Sequence, residues 1–364
     1  MARTTLPLLT TLFLSACATT QSGLRAYHGG DYSAAIGAWT PLAEAGEPDA
    51  QFFLGTMYDG GVGVEEDKLE ALEWYLLAAG SGHPKAQTNL GLLYFHGDGV
   101  ARSHERALRW FQRAAEQEFP EAESNLGVHF LLGIGVDPDA EEAHRWFSRA
   151  AAHGHAKAQR ILGTMFEEGT GCETDDRAAA RWYEESARSG EPDAMLRLGV
   201  MHLEARGVSL DEGRAAELLT GAAKAGEVDA QVLIGWMHFT GRGVPRNPAK
   251  ASAWLATAAH QGDLGAQASF GRACIEQATT EQALTEGVQW IQLAATEGLA
   301  HAQYDLALLY LRGTGVERSR EQALRWMERS SARGGEDWRR PLVATGGTLW
   351  LPPKGGAKPT RPSH

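Results

Sequence analysis

The chain has 364 residues, 43% of them hydrophobic, which is enough apolar material for a sizeable core and excludes disorder throughout. Its 34 Lys and Arg stand against 46 Asp and Glu, a formal net charge of -12 with no large basic patch, so nucleic acid is excluded as a partner.

The N-terminus, "MARTTLPLLTTLFLSACATT", places one cation, Arg3, before an apolar stretch from Leu6 to Leu14 that is too short to cross a bilayer as a helix. That is the layout of an export signal. Leu14-Ser15-Ala16-Cys17 resembles the lipobox of bacterial lipoproteins. The resemblance implies removal of residues 1–16, acylation of Cys17 and attachment to the membrane through that lipid, several acyl chains being needed for stable anchoring. Ala18 stands where an aspartate would resemble an inner-membrane retention signal, so the periplasmic face of the outer membrane is the expected location. An ordinary signal peptide with a chance cysteine is the alternative. Loss of Arg3 takes the 34 cationic residues to 33 against 46 acidic ones, a mature charge of -13. Residues 17–23 are read as the lipidated end and a linker, and residues 24–47, with Ala35, Trp39 and Gly46 but no Gly-rich tip, as a partial capping repeat.

From residue 48 to residue 335 the chain superimposes on itself at an offset of 36 without a gap, giving units 48–83, 84–119, 120–155, 156–191, 192–227, 228–263, 264–299 and 300–335. Each opens with an apolar stripe at spacing four, as in Ala50, Leu54 and Tyr58 or Ala86, Leu90 and Tyr94, which predicts a helix with one buried face. Gly follows the central residue in seven units, from Gly55 to Gly271, and would let a neighbouring helix approach. A G-x-G-V tip comes next, as in "GLLYFHGDGV". It has neither the third Gly of a dinucleotide fingerprint nor the G-K-[ST] of a Walker loop, so it reads as a turn and not as a phosphate site. Asp67, Ser103, Asp139, Asp175, Asp211, Asn247 and Ser319 then supply N-caps for a second helix, whose stripe reads Ala71, Trp74 and Ala78 and which ends at a Gly such as Gly82.

A helical hairpin of this size cannot bury both stripes alone and must stack on its neighbours, so the expected fold is all-α, a right-handed α-solenoid. The pattern A-x-x-x-L-G-x-x-Y-x-x-G-x-G-V followed by W-[YF]-x-x-A-A-x-x-G resembles the Sel-one-like repeat family, relatives of tetratricopeptide repeats, over residues 48–335. The resemblance implies a scaffold or adaptor for protein–protein interactions in the bacterial envelope, in assembly, signalling or export.

Departures from the pattern carry what folding alone does not explain. His202, His238 and Cys274 replace the aromatic of the first helix in consecutive units; as ligands they would have to converge on one metal, which equivalent positions two helix layers apart do not do, so no metal site is expected. Unit 264–299 loses its tip and its N-cap, which predicts a packing irregularity or a bend. Cys172 and Cys274 lie three repeats apart and are expected to be free thiols.

A further stripe on the first helices does not belong to the repeat pattern: Leu196, Val200 and Leu203; Val232, Trp236 and Phe239; Tyr304, Leu308 and Leu311. By analogy with tetratricopeptide repeats it would line the concave face, interrupted by Arg160, Glu167 and Arg272. Either tight packing buries this stripe or it is a partner groove, with Leu196, Leu203, Val232, Trp236, Phe239, Arg272, Tyr304 and Leu311 as the candidate contacts. Beyond Glu336 the chain turns Gly- and Pro-rich, with "TLWL" as a possible cap on the last repeat and a flexible tail after it.

No catalytic residue and no cofactor are expected, because S-x-x-K, H-E-x-x-H and G-x-S-x-G are all missing and the paired carboxylates fall on tips and solvated faces. The alternatives to a monomeric adaptor are a β-lactamase-like or other envelope hydrolase, through a cysteine-rich branch of the family whose paired cysteines this chain lacks, and a binder of peptidoglycan or exopolysaccharide.

Overall fold

A computed structural model describes residues 20–332, which are helical apart from short connections. It divides into two compact units at Ser189–Gly190. In the first, α1 (residues 20–28) and α2 (Tyr32–Glu44) form the capping hairpin. Four repeats follow as α3 (Pro48–Gly60) and α4 (Lys68–Gly80), α5 (Pro84–His96) and α6 (His104–Ala115), α7 (Pro120–Leu132) and α8 (Ala140–Ala152), and α9 (Ala156–Glu168) and α10 (Asp176–Arg188). The second unit holds α11 (Pro192–Glu204) and α12 (Glu212–Lys224), α13 (Val228–Thr240) and α14 (Pro248–His260), α15 (Leu264–Gln277) and α16 (Glu281–Thr296), and α17 (Ala300–Arg312) and α18 (Arg320–Ala332). The linker expected at residues 17–23 is therefore helical from residue 20, and Trp39 donates its indole N–H to the Thr20 carbonyl at 3.3 Å. The signal sequence, Cys17 and the C-terminal cap lie outside the described residues.

The caps form as expected. Asp67, Ser103, Asp139, Asp175, Asp211 and Asn247 each accept a backbone N–H of the helix they precede, and Ser319 accepts from Gln322. The first glycine of the tip closes the preceding helix in the left-handed conformation, as at Gly97 (φ 85°), whose N–H donates to Leu93 O at 2.8 Å. The second glycine does something else. A Cβ on Gly99, Gly171 or Gly243 would stand 2.9, 2.0 or 2.1 Å from the carbonyl oxygen of Lys68, Ala140 or Glu212. Each of these three tips thus rests on the first turn of the second helix of the repeat before it, and only a residue without a side chain fits that joint. The G-x-G-V sequence is an inter-repeat packing element.

The buried stripes run one residue away from those read at spacing four. In the first helix Ala50, Leu54 and Met57 are buried and Tyr58 only half so; in the second, Ala71, Tyr75 and Ala78 are buried and Trp74 half so. Seven residues complete almost two turns, whereas eight overshoot by most of a right angle, so i, i+4, i+7 holds the face. The choice of Tyr75 over Trp74 follows from the glycine opposite: a Cβ on Gly55 would lie 2.7 Å from the Tyr75 ring, and Gly91, Gly127 and Gly163 seat Phe111, Phe147 and Tyr183 in the same way. The tryptophan beside each ring packs on the core of the repeat before it, as Trp110 does against the cluster around Tyr75 and Leu90.

Successive repeats are stitched by one amide. Gln51, Gln87, Gln159, Gln231, Gln267 and Gln303 each donate Nε2 to a carbonyl eight residues earlier, in the last turn of the preceding repeat, at 3.0 to 3.4 Å. Glu123 breaks this series while fully buried. Its carboxylate sits 2.9 Å from Arg149 Nη2 and 2.8 Å from His153 Nδ1, and the same Arg149 nitrogen donates to Ala115 O at 3.1 Å, the carbonyl that a glutamine here would have bonded. Arg149 therefore serves both groups that the change from amide to acid left unpaired.

Repeat 264–299 deviates as its sequence predicts, although it is not without a cap: Thr280 starts α16 and accepts from Ala283 N–H. With no Gly tip, α15 ends at Ala278 in extended conformation and the connection shortens. The two helices then touch backbone to backbone, since a Cβ on Gly271 would meet Gly287 O at 2.6 Å and one on Gly287 would meet Gly271 O at 2.7 Å.

Candidate functional site

The first helices are placed by two recurring constraints. One is a glycine that seats a side chain of the second helix, a ring in the first unit but Leu219 and Leu255 opposite Gly199 and Gly235 in the second. The other is a glutamine, replaced by Met195 in α11, that ties the helix to the repeat before. With Ala, Leu or Ile and Met filling the core positions, the additional stripe is left beside that core and not in it. In the second unit it forms a half-buried apolar surface on α11, α13 and α17.

Its candidate contacts fall into three groups. Leu196, Leu203 and Trp236 pack against the cluster of Leu219, Ile234 and Met237, and Val232 against that of Ala258, Ala259 and Ala266. Phe239, Tyr304 and Leu311 belong to none of the hydrophobic clusters among the described residues, and Leu311 is 36% exposed. Arg272 forms an ion pair with Asp305, which lies on α17 one turn from His301. Burial and then the Arg272 charge lower the His301 pKa to about 4, so that imidazole is neutral at pH 7. Burial raises the Asp305 pKa, against the opposing pull of Arg272.

Glu167, which interrupts the stripe in the first unit, has a structural cause that sequence reasoning missed. Tyr183 donates its buried hydroxyl to Glu167 Oε2 at 2.7 Å and pairs with Thr164 Oγ1 at 3.1 Å. Tyr75 donates to Asp59 Oδ2 at 3.4 Å and accepts from Asn89 at 3.0 Å. Where the seated ring is phenylalanine, as at Phe111 and Phe147, the position of the acid is taken by Phe95 and Leu131, and both pack on the corresponding clusters. In the first unit the residue at this position is a lid over the seated side chain, polar where that side chain carries a hydroxyl and apolar where it does not. This pairing at a separation of sixteen residues is visible in the sequence once the seated ring is known.

Remaining side chains with possible chemistry stand apart. His202 Nδ1 lies 3.2 Å from Ser209 O, and Cys172 and Cys274 are free thiols whose pKa values burial raises. Among the described residues no group of three or more His, Cys, Asp or Glu is placed to hold a metal ion, and no helix is long and apolar enough to cross a membrane.

Stacked 36-residue hairpins with a lateral apolar stripe define an α-solenoid repeat scaffold. The chain belongs to the Sel1 repeat family, whose model matches residues 48–83, 84–119, 120–155, 156–191, 192–227, 228–263 and 300–335. The stretch between 263 and 300 that escapes the match is the repeat with the shortened connection. Among solved structures, the chain is similar to a protective antigen of uropathogenic Escherichia coli that displays an SLR fold, at 30% identity and TM-score 0.61, over 91% of this chain and 80% of that one. It is also similar to a Sel1 repeat protein from Oxalobacter formigenes, at 33% identity and TM-score 0.58, over 66% of this chain and 96% of that one. No curated protein matches significantly.

Proposed function

We propose that the protein is a non-enzymatic adaptor of the bacterial envelope, anchored by lipid on Cys17 to the periplasmic face of the outer membrane, that holds a partner protein on the apolar stripe of its second unit. The observation that carries this reading is the placement of Phe239, Tyr304 and Leu311 outside the hydrophobic clusters found among the described residues, on helices whose core positions are filled by other side chains. Apolar area that folding does not need is the usual raw material of an interface, and aromatic residues dominate interface energetics. Family membership supports the same class, because a solenoid offers an extended surface and no deep preformed pocket.

The test is crosslinking of tagged protein in intact cells, with captured proteins identified by mass spectrometry and wild type compared with a folded Trp236→Ala, Tyr304→Ala variant. A partner lost only from the variant is expected; identical captures would assign the stripe to packing. Labelling with a palmitate analogue, abolished by Cys17→Ala, tests the anchor separately.

A further inference from the structure

The chemistry of the stripe is most sharply defined at the tip of repeat 228–263. Trp236 and Phe239 lie one turn apart on α13, and each carries a guanidinium supplied by the connection that follows. Arg242 Cζ stands 5.0 Å from the Trp236 ring centroid, and Arg246 Cζ stands 5.8 Å from that of Phe239. A guanidinium lying on a ring uses its face for the ring and keeps its N–H donors, which all lie in its plane, for acceptors.

The cations along the stripe differ in what those donors meet. Arg242 donates Nε and Nη2 to Glu212 Oε1, at 2.8 and 2.6 Å, and Arg272 is held by Asp305. Arg246 donates Nε to Phe239 O at 3.0 Å, but its two Nη groups meet no carboxylate among the described residues and the residue is exposed. At this tip the apolar stripe therefore runs beside a cation that no carboxylate among the described residues neutralises, in a chain of net charge -12.

We infer that this tip docks an acidic, apolar peptide segment of the partner, with a carboxylate on the free edge of Arg246 and an apolar side chain against Phe239 and Trp236. The inference rests on the adaptor reading and gives its partner a chemistry. A basic segment would meet an unpaired guanidinium.

Random dodecapeptides displayed on phage would be selected on the purified full chain and the winners synthesised for fluorescence polarisation. Asp or Glu close to Leu, Ile or Phe is expected among them. Arg246→Gln should weaken binding about tenfold or more, Arg246→Lys should recover only part, and amidation of the peptide acid should cost wild type a similar factor but the Gln variant almost nothing. Arg246 is exposed, so these variants keep the fold. Peptides that respond to Phe239→Ala but ignore Arg246→Gln would overturn the acidic chemistry and leave the docking surface standing. If no enriched peptide responds to either variant, the docking surface falls as well.

Discussion

Replacing Glu167 by Leu should destabilise the first unit, and replacing Tyr183 by Phe in the same molecule should return most of the loss. The Tyr183 ring is fully buried and its hydroxyl is held by Glu167 at 2.7 Å and Thr164 at 3.1 Å. Glu167→Leu removes the charged acceptor of this buried hydroxyl, a loss of about 1–3 kcal/mol. Tyr183→Phe alone leaves a half-buried carboxylate that can turn to water, so it should cost only about 1 kcal/mol. The double variant recreates the pairing of Phe147 with Leu131 and should lie within about 1 kcal/mol of wild type, a coupling energy of about 1–2 kcal/mol. Urea unfolding followed by far-UV circular dichroism and tryptophan fluorescence measures all three, the two probes checking whether the array unfolds in one step. Additive effects, with coupling under about 0.5 kcal/mol, would refute the lid argument.

Arg149→Ala should cost about 3–5 kcal/mol, because it leaves the fully buried Glu123 with His153 alone and removes the donor to Ala115 O; Glu123→Gln in the same chain should restore part of the stability measured by urea unfolding, since the amide can rejoin the glutamine series. Ala205 closes α11 in the left-handed conformation (φ 53°) where other repeats have glycine, so Ala205→Gly should stabilise the second unit by about 0.5–1 kcal/mol and raise its thermal midpoint, the strain relieved exceeding the entropy added to the unfolded chain. Stability should also fall with acid. Burial lowers the pKa values of His83, His129, His144 and His301, so below the ordinary 6.5 the unfolded chain binds protons that the folded chain refuses. Their contribution is fully present above 6.5, is lost as the pH falls below it, and for His301 stops changing only near 4. His129→Met, which matches Met57 and Met165 at the same position, should shrink the drop in urea midpoint between about pH 7.5 and about pH 5.

Much of the fold is legible in the chain because its determinants are local and repeated. The offset of 36 residues, the N-caps and the tip glycines each act within one hairpin, and each recurrence confirms the others. Even the loss of the tip in residues 264–299 was readable as an irregularity, although not its form, in which α15 and α16 meet at Gly271 and Gly287. The site was less legible. Sequence alone groups Leu203, Phe239, Glu167 and Arg272 as one stripe with polar breaks, yet Leu203 is packed on a core cluster, Glu167 serves a hydroxyl, Arg272 is neutralised by Asp305 and Phe239 carries an arginine.

What the sequence by itself determined is therefore the hairpin, its period and its ends, since helical periodicity and capping depend only on residues within a few positions of one another. Tertiary structure alone decided which of two adjacent aromatic residues is buried, what the second tip glycine touches, and which charges on the stripe have partners. Each of those outcomes depends on a residue sixteen to more than thirty positions away, brought close by the folding of each hairpin and its stacking on the next.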